Sequence, residues 1–219
     1  MRIEARDAAV LESLYAATNG DGWDNTTGWG NLSSVSCDEV YGVACEPEKG
    51  RVVQLQLVGN QLAGRIPRSL GNLTALFLLH LGSNSLTGTL PASLGDCSAL
   101  QAIHLDHNQF TGTLPTAWRY WQALEIMELH VNGLTSTIPS ELFRNCSAAL
   151  WRVDLSQNAL SGSIPNTLGD CHAIQNLFLY GNPLSGTVCV YVCMRSLSLS
   201  LSLSLPPSPP PAPTPPLHL

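Results

Sequence analysis

Apolar and polar positions along the chain repeat as one pattern six times: LQLVGNQLAGRIP, LHLGSNSLTGTLP, IHLDHNQFTGTLP, MELHVNGLTSTIP, VDLSQNALSGSIP and LFLYGNPLSGTV. Their asparagines, Asn60, Asn84, Asn108, Asn132, Asn158 and Asn182, are separated by 24, 24, 24, 26 and 24 residues. Each copy opens with two apolar residues flanking a variable one, as in Leu55 and Leu57, Leu79 and Leu81, or Ile103 and Leu105. Alternation with a period of two predicts a short strand with its apolar face turned inward. Copies at a fixed period stack such strands into a parallel sheet. The remaining apolar positions, Leu62, Ile66, Leu70, Leu73 and Leu76 in the first copy, fill the core behind it. One copy cannot bury its own apolar face, so each depends on its neighbours.

The invariant polar positions take structural roles in this reading. An asparagine where the chain leaves the strand can donate to and accept from backbone groups that the turn leaves unpaired. Gly64, Gly88, Gly112, Gly162 and Gly186 allow close backbone approach, and Pro67, Pro91, Pro115, Pro139 and Pro165 fix the chain direction after a second short strand.

Ahead of the repeats, DAAVLESLYAATNG predicts an amphipathic helix, with Asp7 as N-cap, Val10, Leu11, Leu14 and Tyr15 on one face, and Asn19-Gly20 at the stop. The chain therefore divides into residues 1–50 as a cap, 51–188 as six repeats with the last unfinished, and 189–219 as a low-complexity, Pro-rich tail expected to be disordered.

The pattern LxxLxLxxNxLxGxIPxxLGxL over roughly residues 51 to 188 resembles the plant-type class of leucine-rich repeat, found in plant receptor-like kinases and polygalacturonase-inhibiting proteins. The resemblance implies an α/β solenoid, a right-handed superhelix with a parallel concave sheet, an additional sheet from the LxGxIP segments and a helical N-terminal cap. Trp23, Trp29, the YGVxC element and the cysteine pair Cys37 and Cys45 resemble that cap. It implies a Cys37–Cys45 disulfide in an oxidising compartment; a metal pair there lacks companion ligands.

Composition narrows the function classes. Charged residues make up 12% of the chain, against about 25% in a usual soluble protein, and the net charge is −6 with one lysine, Lys49. A nucleic-acid surface needs clustered positive charge, so none is expected. Nine of the sixteen acids lie between Glu4 and Glu48, read as a solvated cap surface. No stretch reaches the roughly 20 apolar residues of a membrane span, and MRIEARDAAV lacks the apolar run of a signal peptide. By family resemblance the chain is nevertheless expected outside the cell or at its surface, and sequons begin at Asn25, Asn31, Asn72 and Asn145. Either the chain is cytosolic, or the natural N-terminus lies upstream of this one.

In a repeat solenoid the outward side chains of the strands face a ligand. One column runs Gln56, His80, His104, Glu128, Asp154, Phe178; the next runs Val58, Gly82, Asp106, His130, Ser156, Tyr180, with Phe77, Leu78, Ile126, Trp151 and Arg152 beside them. Six strands about 4.8 Å apart offer roughly 24 Å, about seven residues of extended peptide. The expected partner is thus a protein or peptide on the concave face. The subset His80, His104, Asp106, Glu128, His130 and Asp154 reads by default as a solvated polar face, with a metal site or a pH-sensitive contact as alternatives. No metal ligand set and no cofactor are assigned.

Cys97, Cys146 and Cys171 share one repeat phase, occupied by Leu73 and Trp121 in other copies, and read as small buried hydrophobes. No G-x-S-x-G, H-E-x-x-H or G-x-x-x-x-G-K-[ST] motif occurs, nor a kinase signature, so the expected role is non-catalytic binding. The functions in view are a receptor-like recognition module, an inhibitor of a secreted wall-degrading hydrolase, or a structural wall or scaffold protein through Pro206 to Pro216. Alternating Val-Cys and Leu-Ser from about Cys189 onward also match a translated dinucleotide repeat.

Overall fold

Six apolar pairs, one in each repeat and each with one residue between, build a single parallel sheet. In the computed structural model, which describes residues 1–144 and 146–185, the strands Val52–Gln56, Leu78–His80, Ala102–His104, Ile126–Glu128, Arg152–Asp154 and Asn176–Phe178 lie side by side in that order. The tail from residue 189, with Cys189 and Cys193, and the sequon asparagine Asn145 lie outside the described residues. Residues at equal phase are direct partners: Gln56, His80, His104, Glu128, Asp154 and Phe178 pair in sequence across the sheet.

A second, lateral sheet comes from the LxGxIP segments. Ala63–Gly64, Ser85–Thr89, Gln109–Gly112, Gly133–Ser136 and Ala159–Leu160 form five parallel strands, and Gly162–Ser163 pairs with Leu184–Ser185. Gly64, Gly88, Gly112 and Gly162 all have positive φ. A Cβ on Gly64 would also collide with the carbonyl of Ala17, so this position admits only glycine. Each proline then begins a short helical turn: Arg68–Asn72, Ala92–Asp96, Thr116–Tyr120 and Asn166–Asp170 are 3-10 helices, and Ser140–Phe143 is α-helical.

Between sheet and helical turns the core is layered by phase. Leu55, Leu79, Ile103, Met127, Val153 and Leu177 are buried, as are Leu57, Leu81, Leu105, Leu129, Leu155 and Leu179. The asparagines stitch adjacent layers. Asn108 Nδ2 donates to Leu81 O, Leu105 O and Asp106 O, while its Oδ1 accepts from Leu86 N. Asn84, Asn132, Asn158 and Asn182 repeat that arrangement, and Asn60 makes it with the backbone of Asn25.

At the N-terminal end the helix Ala5–Ala17 buries Val10, Leu11 and Leu14 over the first repeat. Its N-cap residue is Glu4, not Asp7. Asp7 lies inside the first turn, buried, with Oδ2 accepting from Val52 N 45 residues away. Its carboxyl is pushed above the ordinary value by burial, against the lowering effect of that bond. The strand Val43–Cys45 pairs antiparallel with Val52–Gln56 and covers the edge of the concave sheet. Tyr15, Trp23 and Trp29 of the cap pack ring against ring.

Cys37 and Cys45 are bonded, and so are Cys146 and Cys171. The second bond corrects the reading of Cys146 and Cys171 as separate hydrophobes. Equal phase in adjacent repeats places their Cα atoms 5.8 Å apart, within disulfide reach. Cys97 is free and fully buried, and burial pushes its thiol up to about 12, so it behaves as an apolar filler.

Candidate ligand-binding face

The concave surface has a floor and a polar bank. Leu78, Ala102 and Ile126 stand in register between Gln54 and Arg152, half-exposed, forming an apolar strip. Beside it runs the column from Gln56 to Phe178, in which Gln56 is exposed and His80, His104, Glu128 and Phe178 are half-buried. Polar side chains on adjacent strands at equal phase meet directly, because strands lie about 4.8 Å apart.

Those meetings define a connected network. The rings of His80 and His104 are 4.6 Å apart. His104 Nδ1 lies 2.7 Å from Glu128 Oε2, and Arg152 Nε donates to Glu128 Oε1 at 2.6 Å. The Arg152 guanidinium in turn covers the ring of Phe178 at 5.1 Å. The hydrogen bond from His104, reinforced by Arg152, outweighs burial and holds the Glu128 carboxyl down at about 2. A carboxylate so ionised only accepts, so His104 carries its proton on Nδ1. Burial, then the neighbouring His104, lowers the His80 pKa and favours its neutral ring.

One column further along, Asp106 Oδ2 lies 3.1 Å from His107 Nδ1 and 4.0 Å from His130 Nε2. The rings of His107 and His130 meet edge to face at 4.9 Å. His130 Nδ1 is buried without a hydrogen-bond partner, its nearest carboxylate oxygen being Asp154 Oδ2 at 3.7 Å. His107 lies outside the columns that the strand alternation gives, because it occupies the turn position beside the ladder asparagine Asn108. Its adjacency to Asp106 was the available signal.

Asp154 departs from its expected place. It is 6% exposed, and its Oδ1 accepts from both the backbone and the hydroxyl of the fully buried Ser156. This carboxylate is largely withdrawn from solvent by its bonds to Ser156, with Oδ2 3.7 Å from His130 Nδ1. Tyr180 and Phe178 remain half-exposed at the far end of the sheet. Asn72 and Asn31 are exposed and Asn25 is half-buried, its Oδ1 accepting from Thr27 N. Trp118 and Trp121 are buried on the opposite side, each donating its indole N–H to a carbonyl of the preceding repeat, while Tyr120 between them is exposed.

Among the described residues no helix is long and apolar enough to cross a membrane. Leucine rich repeat family models match residues 51–110 and 149–171. No curated protein sequence matches the chain. Among solved structures, a chain of the BIR3–SERK2 complex from Arabidopsis thaliana is 31% identical, with 83% of this chain and 96% of that chain covered at a TM-score of 0.72. The BIR2 ectodomain from Arabidopsis thaliana is 27% identical over 88% of this chain and 100% of its own, with a TM-score of 0.65. The ectodomain of the receptor kinase GASSHO1/SCHENGEN3 from the same plant, in complex with CASPARIAN STRIP INTEGRITY FACTOR 2, gives 28% identity and a TM-score of 0.75 over 81% of this chain. This chain spans 21% of that one's length.

Proposed function

The chain belongs to the plant-type leucine-rich repeat family, and from that premise we propose that it is a non-catalytic recognition module acting outside the cell or at its surface. Its ligand is a peptide or protein segment lying along the concave sheet. The carrying observation is the register-matched column His80, His104, Glu128 and Phe178 beside the strip Leu78, Ala102 and Ile126. These side chains are not needed to fill the core, and they combine apolar floor, aromatic ring and fixed charge. Six strands span roughly 24 Å, which suits about seven extended residues. Two disulfides and the ectodomain neighbours support an oxidising location. Receptor complexes among those neighbours support a peptide or protein ligand.

The test is a binding screen of the purified chain against secreted peptides and, in parallel, secreted hydrolases. The expected result is saturable binding of a peptide or receptor-type ectodomain that Phe178→Ala and Arg152→Ala weaken together. Selective capture and inhibition of a hydrolase would replace this reading with that of an inhibitor.

A further inference from the structure

We propose that the concave face holds a divalent transition-metal ion, Zn2+ in the first instance, between His80, His104 and Asp106. One ligand atom from each of these three residues lies within 4.8 Å of the others, and all three are half-buried. Donors of a tetrahedral Zn2+ at 2.0–2.1 Å lie about 3.3 Å apart, so small side-chain rotations complete the set. Two imidazoles and one carboxylate suit Zn2+, Cu2+ or Ni2+ and are poor for Ca2+ or Mg2+, which take oxygen shells.

The surroundings favour metal binding beyond the mere proximity of three ligands. His104 Nδ1 lies 2.7 Å from Glu128 Oε2, a contact that fixes the ring and leaves Nε2 as the nitrogen open to a metal ion, the usual support of a metal-bound histidine. Glu128 is itself held by Arg152. Gly82 lies beneath the Asp106 carboxylate, and a Cβ there would come within 2.7 Å of Asp106 Oδ1. The missing side chain is the space in which that carboxylate sits. Three ligands leave a coordination position for water or for a ligand group. Asp106 also belongs to a second triad with His107 and His130, but His107 is exposed, with 52% of its side chain accessible. The more enclosed triad is therefore assigned.

This assignment goes beyond the peptide-binding reading and does not depend on it, because the metal alone is the probe. Tag-free full-length chain is titrated with Zn2+ by calorimetry, and with Co2+ while its visible bands are followed. One ion per chain is expected, unaffected by Ca2+ or Mg2+. His80→Ala and Asp106→Asn are expected to weaken binding at least tenfold, and Glu128→Gln about 10- to 100-fold through the orientation of His104. Gly82→Ala, which moves the carboxylate without removing a ligand, is also expected to weaken it. His107→Ala is expected to leave it unchanged. His104→Ala is expected to weaken binding at least tenfold as well, with His104→Gln in its place where the alanine variant does not fold, and folding of each variant is checked by its unfolding midpoint. Absence of saturable Zn2+ binding up to about 1 mM overturns the proposal. So does binding that ignores His80→Ala and Asp106→Asn, or that is lost on His107→Ala alone.

Discussion

His104 and Glu128 stand 24 residues apart in the chain and on neighbouring strands, yet His104 Nδ1 lies 2.7 Å from Glu128 Oε2. With Arg152 on the other carboxylate oxygen, three successive repeats are tied by one side chain. Glu128 is ionised far below its ordinary value of 4.5, down to about 2. Its depressed folded-state pKa contributes stability that is complete above 4.5 and is lost as pH falls through about 2. In buffer with a chelator, denaturant midpoints of the native chain should fall across that window. Glu128→Gln should be less stable near neutrality and show a flatter profile between about pH 5 and pH 2.

The asparagine ladder carries a stability prediction. Asn108→Ala removes four hydrogen bonds and leaves Leu81 O, Leu105 O, Asp106 O and Leu86 N without their side-chain partner. Unfolding in urea should show a loss of about 1–3 kcal/mol. A neutral result would show that these backbone groups find other partners.

Disulfide removal should be graded by loop length. Cys146–Cys171 closes 25 residues and Cys37–Cys45 closes 8. Replacing both cysteines by serine should cost about 3–4 kcal/mol for the former and about 2–3 kcal/mol for the latter, from chain entropy in the unfolded state. Cys97, buried and with its thiol raised to about 12, should react with a thiol reagent only on unfolding.

Much of this architecture is legible in the sequence, because a repeat imposes its own register. Once Asn84 and Asn108 are aligned, His80 must face His104, and Leu79 must stack on Ile103. What escapes are contacts that depend on exact neighbours. Cys146 and Cys171 share their phase with Cys97, so all three read as core. Only a cysteine in the next repeat permits a bond, and Cys97 faces the repeats of Leu73 and Trp121. Asp154 reads as surface because its phase is outward; the hydroxyl of Ser156 draws it inward. Asp7 reads as a cap because aspartate suits that role, but a backbone N–H 45 residues away engages it.

On the proposed reading, ligand binds the concave column and not the helical side. Benzoylphenylalanine incorporated in place of Phe178, and separately in place of Tyr120, tests it by photocrosslinking to secreted plant peptides and proteins. Phe178 lies on the concave sheet under Arg152, whereas Tyr120 is 56% exposed on the opposite side. Adducts are expected at position 178, lost when Arg152→Glu is added, and absent at position 120. Adducts confined to position 120, or adducts at 178 indifferent to Arg152→Glu, would place the ligand elsewhere than on the concave column.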